Sequence, residues 1–376
     1  MREIPLLDLK GQNARLKSAL LREIEDVLDS GQYILGPKVE SFEHNFAKYC
    51  QAEYAIGVNS GTSALQLALL AAGIGKGDEV ITTPLTFVAT AAAIEYVGAT
   101  PIFADICSES LNIDPEKVAA KITDRTKAII PVHLHGLMSK MDELRDLANR
   151  AGVILIEDAS QAHGAELNNA RAGSYGDMAC FSFYPGKNLG AMGEGGAVVT
   201  SNIQYAETVR ELRDWGQRGK GNHVQRGFNC RMDAMQGAVL NVKLHQLDSW
   251  TRSRGTLAAR YTERFLNSKI KITPTPSNFK HAFHVYAIRV ENREAMQASL
   301  QHQGVTTGVH YRVPVHLQPA YSDLGYKVGS LPISEAIAPT LLSLPIYPEM
   351  READVDFVAT HVLGLTGEEQ CQAGLF

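Results

Sequence analysis

The chain has 376 residues, 45% hydrophobic and 20% charged, with a formal net charge of −5. This is the balance of an ordinary globular protein, long enough for two domains or one large domain with a smaller partner. The charge gives no support to a nucleic-acid surface, and no apolar run approaches the ~18 residues of a membrane span. Met1-Arg2-Glu3-Ile4-Pro5 carries no hydrophobic signal core, so no secretion is expected. Cys50, Cys107, Cys180, Cys230 and Cys371 lack Cys-x-x-Cys spacing. They read as reduced packing residues of a cytoplasmic protein.

Helical periodicity runs from Leu16 to about Leu28 and stops at Ser30-Gly31. A turn at Gly36-Pro37 opens a second helix through Val39, Phe42 and Phe46. From residue 54 to about 200, short apolar strands alternate with helices. Strands are expected at Ala55–Val58, Glu79–Thr82, Pro101–Ala104, Ala128–Val132, Val153–Glu157, Ala179–Phe183 and Ala197–Thr200. Helices are expected at Ser63–Ala72, Val88–Val97 and Met141–Arg150. Continuous β-type hydrophobics such as 153–157 suit strands covered on both faces, and the alternation implies an α/β fold with a largely parallel sheet. A long helix from Asp233 to about Phe265 reads as a connector. A loop at 273–278 and a strand over His284–Val290 follow, so the expected division is a large domain, 1–250, and a small α+β domain, 251–376.

In open α/β sheets, ligands bind beyond the carboxyl ends of the strands, and several chemically distinctive residues fall at such ends. Ser60-Gly61-Thr62-Ser63 joins a strand to a helix N-terminus, where free amides, the helix dipole and two hydroxyls make an anion site. The same pattern also serves as a plain N-cap. Asp158 ends an apolar strand and suits a protonated pyridine nitrogen, although it could equally cap a following helix. Gln161 follows three residues later, in reach of a ring hydroxyl oxygen. Lys187, in Phe181-Ser182-Phe183-Tyr184-Pro185-Gly186-Lys187-Asn188, opens a glycine-laden loop. An amine nucleophile, a carboxylate and a phosphate cradle are what pyridoxal 5'-phosphate (PLP) requires. Lys187 would need burial or nearby positive charge to lower its pKa. Ser182 could add a hydroxyl to the phosphate, and Phe87 could stack on the ring or simply pack in the core. His133-Leu134-His135 alternate in the manner of a metal pair on a strand, but no third ligand lies at useful spacing, so no metal is expected.

With these residues in view, the chain resembles the DegT-type nucleotide-sugar aminotransferases, within the fold type I PLP enzymes related to aspartate aminotransferase. The likeness covers nearly the whole length. It is carried by Asn59-Ser60-Gly61-Thr62-Ser63-Ala64-Leu65, by Glu157-Asp158-Ala159-Ser160-Gln161-Ala162-His163-Gly164 and by Ser182 to Asn188. Gly227-Phe228-Asn229-Cys230-Arg231-Met232 and His310-Tyr311 to Tyr321 complete it. The resemblance implies Lys187 as the Schiff-base lysine, Asp158 at the pyridine nitrogen and Gln161 near the ring oxygen. It implies phosphate contacts from Thr62, Ser63 and Ser182. It assigns Asn229 to the phosphate of a neighbouring subunit's cofactor, hence a homodimer with shared active sites.

Lysine, rather than the histidine of the dehydratase members, favours transamination. The resemblance therefore implies amino transfer from an amino acid, glutamate, to a keto sugar nucleotide, with pyridoxamine phosphate as the carrier form. The context around Lys187 is most like members that act on 3-keto-6-deoxy sugars; 4-keto sugars and dehydration are the alternatives. Tyr184, His310, Tyr311 and His316 are the candidates for shaping the sugar pocket, and Arg226 and Arg231 for meeting a diphosphate or the donor carboxylate. Two departures stand out: Arg312 follows the tyrosine where the family often has proline, and Glu194 stands where many relatives have aspartate.

Overall fold

The computed structural model describes residues 3–366; Cys371 lies outside them. Seven strands form one sheet in the spatial order Tyr54–Val58, Gly196–Thr200, Met178–Ser182, Ile154–Asp158, Thr126–Ile130, Glu79–Thr82 and Thr100–Phe103. The five strands from Met178–Ser182 onward are mutually parallel. Gly196–Thr200 runs antiparallel to both of its neighbours. Alternation along each strand sends its side chains to two different cores. Leu155, Ile129 and Phe181 join one cluster, while Ile156, Ile130 and Cys180 join the other. Burial on both faces explains why these strands read as unbroken hydrophobic runs.

A second core surrounds a three-stranded antiparallel sheet of Lys271–Ile272, Tyr286–Arg289 and Leu341–Leu344. It is covered by Leu257, Tyr261 and Phe265 from one helix and by Val355, Val358 and Val362 from another. Ile4 belongs to this cluster as well, its amide donating to the Gly304 carbonyl at 2.8 Å. The start of the chain thus packs with its far end, a long-range pairing that local pattern does not report.

The expected single connector helix is two helices, Ala234–Leu244 and Leu247–Phe265. The halves serve different cores. Ala234 and Ala238 pack beside Val27, whereas Leu257 to Phe265 cover the small sheet. The break at His245-Gln246 lets the chain turn between them. Cys50, Cys180 and Cys230 are buried and Cys107 half-buried, all as free thiols.

Candidate active site

A cavity of about 690 Å³ opens at the carboxyl edge of the large sheet, with a wall from the small sheet's region. One end of it is built by the first strand of the large sheet and the helix Gly61–Ala71 that follows. Ser60 caps this helix, its Oγ accepting from the Ser63 amide at 3.0 Å. The first intrahelical bond is made by Ala64 to the Ser60 carbonyl, so the amides of Gly61 and Thr62 have no intrahelical acceptor and lie at the positive end of the dipole. Gly61 is required here, because a Cβ would come 2.6 Å from Ser182 Cβ. Thr62 and Ser182 line the cavity. Ser63 does not; its Oγ is engaged by Ser60 Oγ at 2.9 Å.

Asp158 is the last residue of its strand, its amide donating to Pro131 O and its carbonyl accepting from the His133 amide. Its carboxylate faces the cavity. Oδ2 accepts from Thr90 Oγ1 at 2.8 Å and Oδ1 from the Ser160 amide at 3.2 Å. No helix begins at Asp158, so the capping alternative fails. Thr90 was not singled out from the sequence, since a threonine inside an apolar helix carries no signal of its own. Glu157, pointing the other way, is completely buried. It accepts from His133 Nε2 at 2.9 Å and from the amides of Gly173, Tyr175 and Gly176. His133 is therefore part of a structural pair. His135 diverges from it because a 3-10 turn at Leu134–Gly136 puts His135 at φ 60°. No cluster of three or more metal-ligating side chains exists among the described residues.

Lys187 stands on a loop held from several sides. Its amide donates to Tyr184 O at 2.8 Å, Asn188 Nδ2 to Ala282 O at 2.8 Å, and Lys243 Nζ to Gly190 O at 2.8 Å. Burial lowers the Lys187 amine from 10.5 to about 8, with Asp158 pulling the other way. At pH about 7.5, roughly a quarter of such an amine is deprotonated, against about 0.1% for an ordinary lysine. His163, His284 and His310 all lie near enough to feel its charge. Burial, reinforced by the Lys187 charge, pushes His163 down to about 3, His310 to about 4 and His284 well below its usual value. All three are neutral at physiological pH, so desolvation and not a neighbouring cation tunes the lysine.

The opposite wall is a chain of hydrogen bonds. Gln161 Oε1 accepts from the His135 amide at 2.6 Å, and Gln161 Nε2 donates to Tyr311 Oη at 3.0 Å. His135 Nε2 meets the His310 carbonyl at 2.9 Å, and His310 Nδ1 meets Ser343 Oγ at 2.8 Å. The His310-Tyr311 peptide is cis. The Tyr311 ring lies 6.0 Å from that of Phe87, which is 56% exposed and lines the cavity with Tyr184. An aromatic this exposed inside a cleft is available to a ligand.

His316 is a correction. A 3-10 turn at Val315–Leu317 tucks its ring against Phe103 and Tyr326, and its Nε2 meets Glu335 Oε1 at 3.1 Å. It is buried and does not line the cavity. Asn229 lies outside this chain's own cavity, exposed, with Oδ1 accepting from Arg231 Nε at 3.1 Å. Arg231 also pairs with Asp214 at 3.0 Å. Arg226 is exposed, and neither arginine lines the cavity. Arg312 is exposed and 3.5 Å from Glu294, while Glu194 lines the cavity. Lining residues that the sequence reading missed include Leu6, Leu7, Arg254, His284 and Ile346; they reach the site only through packing between distant segments.

An anion cradle that excludes a Cβ, a desolvated amine and a held carboxylate fit PLP chemically. Comparison with known proteins agrees. The profile of the DegT/DnrJ/EryC1/StrS aminotransferase family matches residues 14–363. The chain belongs to this family. It is 45% identical over 349 residues to dTDP-3-amino-3,4,6-trideoxy-alpha-D-glucose transaminase from Streptomyces venezuelae, covering 93% of this chain and 92% of that one. It is 44% identical over 362 residues to a Geobacillus stearothermophilus protein named a pleiotropic regulatory protein, covering 96% and 97%. The solved structure of S. venezuelae DesV superposes with a TM-score of 0.96 at 43% identity, covering 98% of this chain and 100% of that one. Spr1654 from Streptococcus pneumoniae, titled a sugar aminotransferase and solved in a PLP form, matches with a TM-score of 0.89 at 27% identity, covering 93% and 96%.

Proposed function

We propose that this aminotransferase uses PLP to move an amino group from an amino acid, glutamate, to the C3 ketone of a nucleotide-linked 6-deoxy sugar. The observation that carries the reading is Lys187, desolvated to a pKa of about 8 and sharing one cavity with Asp158 and the amides at Gly61-Thr62. The sugar and its position of amination rest on the names of the relatives.

The residues that would hold the cofactor are Gly61, Thr62 and Ser182 at the phosphate and Asp158 at the ring nitrogen. Phe87 would lie against the ring, Gln161 near its oxygen, and Lys187 at the reactive carbon. Bound there, PLP supplies an electron-withdrawing ring that stabilises negative charge developing on the substrate carbon next to nitrogen. Asp158, held in place by the Thr90 and Ser160 hydrogen bonds, would face that ring nitrogen and favour its protonated form. Lys187 would take the proton from the substrate carbon and deliver it, on the same face, to the neighbouring cofactor carbon. Burial helps it do so, because a depressed pKa makes the neutral amine available near neutral pH. Tyr184, His310 and Tyr311 supply the polar and aromatic surface for the sugar.

The chain works as a homodimer in this reading, with Asn229 reaching the partner's cofactor phosphate and Ser63 supporting the cradle from behind. The division into two domains near residue 250 follows the two cores, and the enzyme acts in the cytoplasm. No described helix is long and apolar enough to cross a membrane.

The test is the visible spectrum of purified protein on adding glutamate, followed by 3-keto and 4-keto sugar nucleotides with mass analysis of the product. Glutamate-dependent bleaching and an aminated 3-keto sugar support the reading. Amination of the 4-keto substrate alone moves the position, and a deoxygenated product without nitrogen replaces transamination by dehydration. A spectrum indifferent to every amino donor, with no turnover, leaves a non-catalytic regulator; the Geobacillus relative is named a regulatory protein.

A further inference from the structure

Arg254 has no task in the scheme above. It lies on the helix Leu247–Phe265, is 2% exposed and lines the cavity. Its Nη1 donates to two carbonyls, Phe283 O at 3.1 Å and Ile346 O at 2.7 Å, and its Nε finds no acceptor. Among the described residues, no carboxylate comes within the 4.0 Å of an ion pair. Buried arginines are ordinarily paired, because an unbalanced charge away from water is costly. Burial here lowers the guanidinium to about 10, with only Glu349 acting in opposition, so it stays charged at neutral pH.

The neighbouring groups narrow what this cation is for. The charged side chains lining the cavity are Asp158, Lys187, Glu194 and Arg254. Asp158 and Lys187 are committed to the cofactor, and Glu194 repels anions. Arg254 is the one arginine on the wall among the described residues. His284, also on that wall, has a buried Nδ1 without a partner and feels the positive charge of both Lys187 and Arg254. A neutral imidazole and a guanidinium at one end of a cleft are a donor set for a carboxylate, which arginine binds through paired N–H groups.

We propose that Arg254, with His284 beside it, receives a carboxylate of the amino donor. This deepens the aminotransferase reading and rests on it for the identity of the donor. On this assignment the sugar nucleotide binds without help from Arg254.

The experiment compares wild-type holoenzyme with Arg254→Met and Arg254→Lys. Succinate, a dicarboxylate without an amine, is titrated by calorimetry; KM is measured separately for glutamate and for the keto sugar nucleotide. In Arg254→Met, succinate affinity should fall and the glutamate KM rise by at least about tenfold, with partial recovery in Arg254→Lys and the sugar-nucleotide KM within about twofold of wild type. Wild type should also prefer succinate to succinamide by at least about tenfold, a comparison that stands if Arg254→Met does not fold. Equal succinate binding in wild type and Arg254→Met overturns the proposal. So does a loss confined to the sugar nucleotide, or, in wild type, equal affinity for succinate and succinamide. Succinate binding that depends on Arg254, in a protein whose spectrum ignores glutamate, keeps the carboxylate site and removes the transaminase reading instead.

Discussion

Removing the amine of Lys187 should change how the stability of the apoprotein depends on pH, by an amount that follows from its burial. The folded-state pKa is about 8 against 10.5 for the free side chain. Below about pH 8 the amine is protonated in both folded and unfolded chains, and wild type bears the whole cost of burying the charge. As pH rises from the folded value toward the unfolded one, the folded chain sheds its proton first and the cost disappears. Linkage then gives a gain for wild type of about 2.5 kcal/mol between about pH 7 and about pH 10. Lys187→Met lacks this term, while every other titrating group is common to both proteins. Differences in packing at the substituted side chain are independent of pH and cancel. The measurement is urea denaturation of the two apoproteins at equal protomer concentration across that range, taking the difference of differences. A flat difference, or wild type gaining stability as pH falls, would refute the claim that desolvation tunes this lysine.

Asp158→Asn should retain a folded cavity but lower kcat on the order of 10²-fold or more, because a neutral amide no longer sustains a proton on the ring nitrogen; unchanged kcat in single-turnover kinetics would remove Asp158 from its role. In the apoprotein the same substitution should move the Lys187 amine further down, since Asp158 is the group that raises it; NMR titration of labelled lysine methylene carbons, assigned with Lys187→Met, reads the sign. Gly61→Ala should weaken PLP binding and cost about 1–3 kcal/mol of stability, as its Cβ would meet Ser182 Cβ at 2.6 Å; calorimetric PLP affinity equal to wild type would contradict the cradle. Glu157→Gln should destabilise the chain by about 3 kcal/mol or more, because the carboxylate gathers His133 and three amides in a fully buried position. Burial pushes this carboxyl up, but the His133 pairing and the amides bring it net below 4.5. Its stabilisation is therefore full above that value and fades as pH falls through the lower folded one, a loss that acid denaturation of Glu157→Gln should not show.

The local signals in this chain were those that backbone chemistry imposes residue by residue. Hydrophobic runs such as 153–157 announced strands buried on both faces. Ser60-Gly61-Thr62-Ser63 announced a capped helix start with free amides, and the sheet's C-terminal edge fixed where Asp158 would emerge. Lys187, Asp158, Gln161, Thr62, Ser182 and Phe87 were legible because each sits at or near a strand end, and strand direction alone brings such ends to one side. The break at His245-Gln246 was not legible, since helical periodicity continues through it and only the separate cores demand the turn. His316 was misread for a similar reason: a histidine near His310-Tyr311 in sequence faces Phe103 and Glu335 once the 3-10 turn forms. Arg254 and His284 gave no motif at all. Their significance depends on the absence of a counter-charge and on a shared cavity wall, and both depend on what long-range packing leaves beside them.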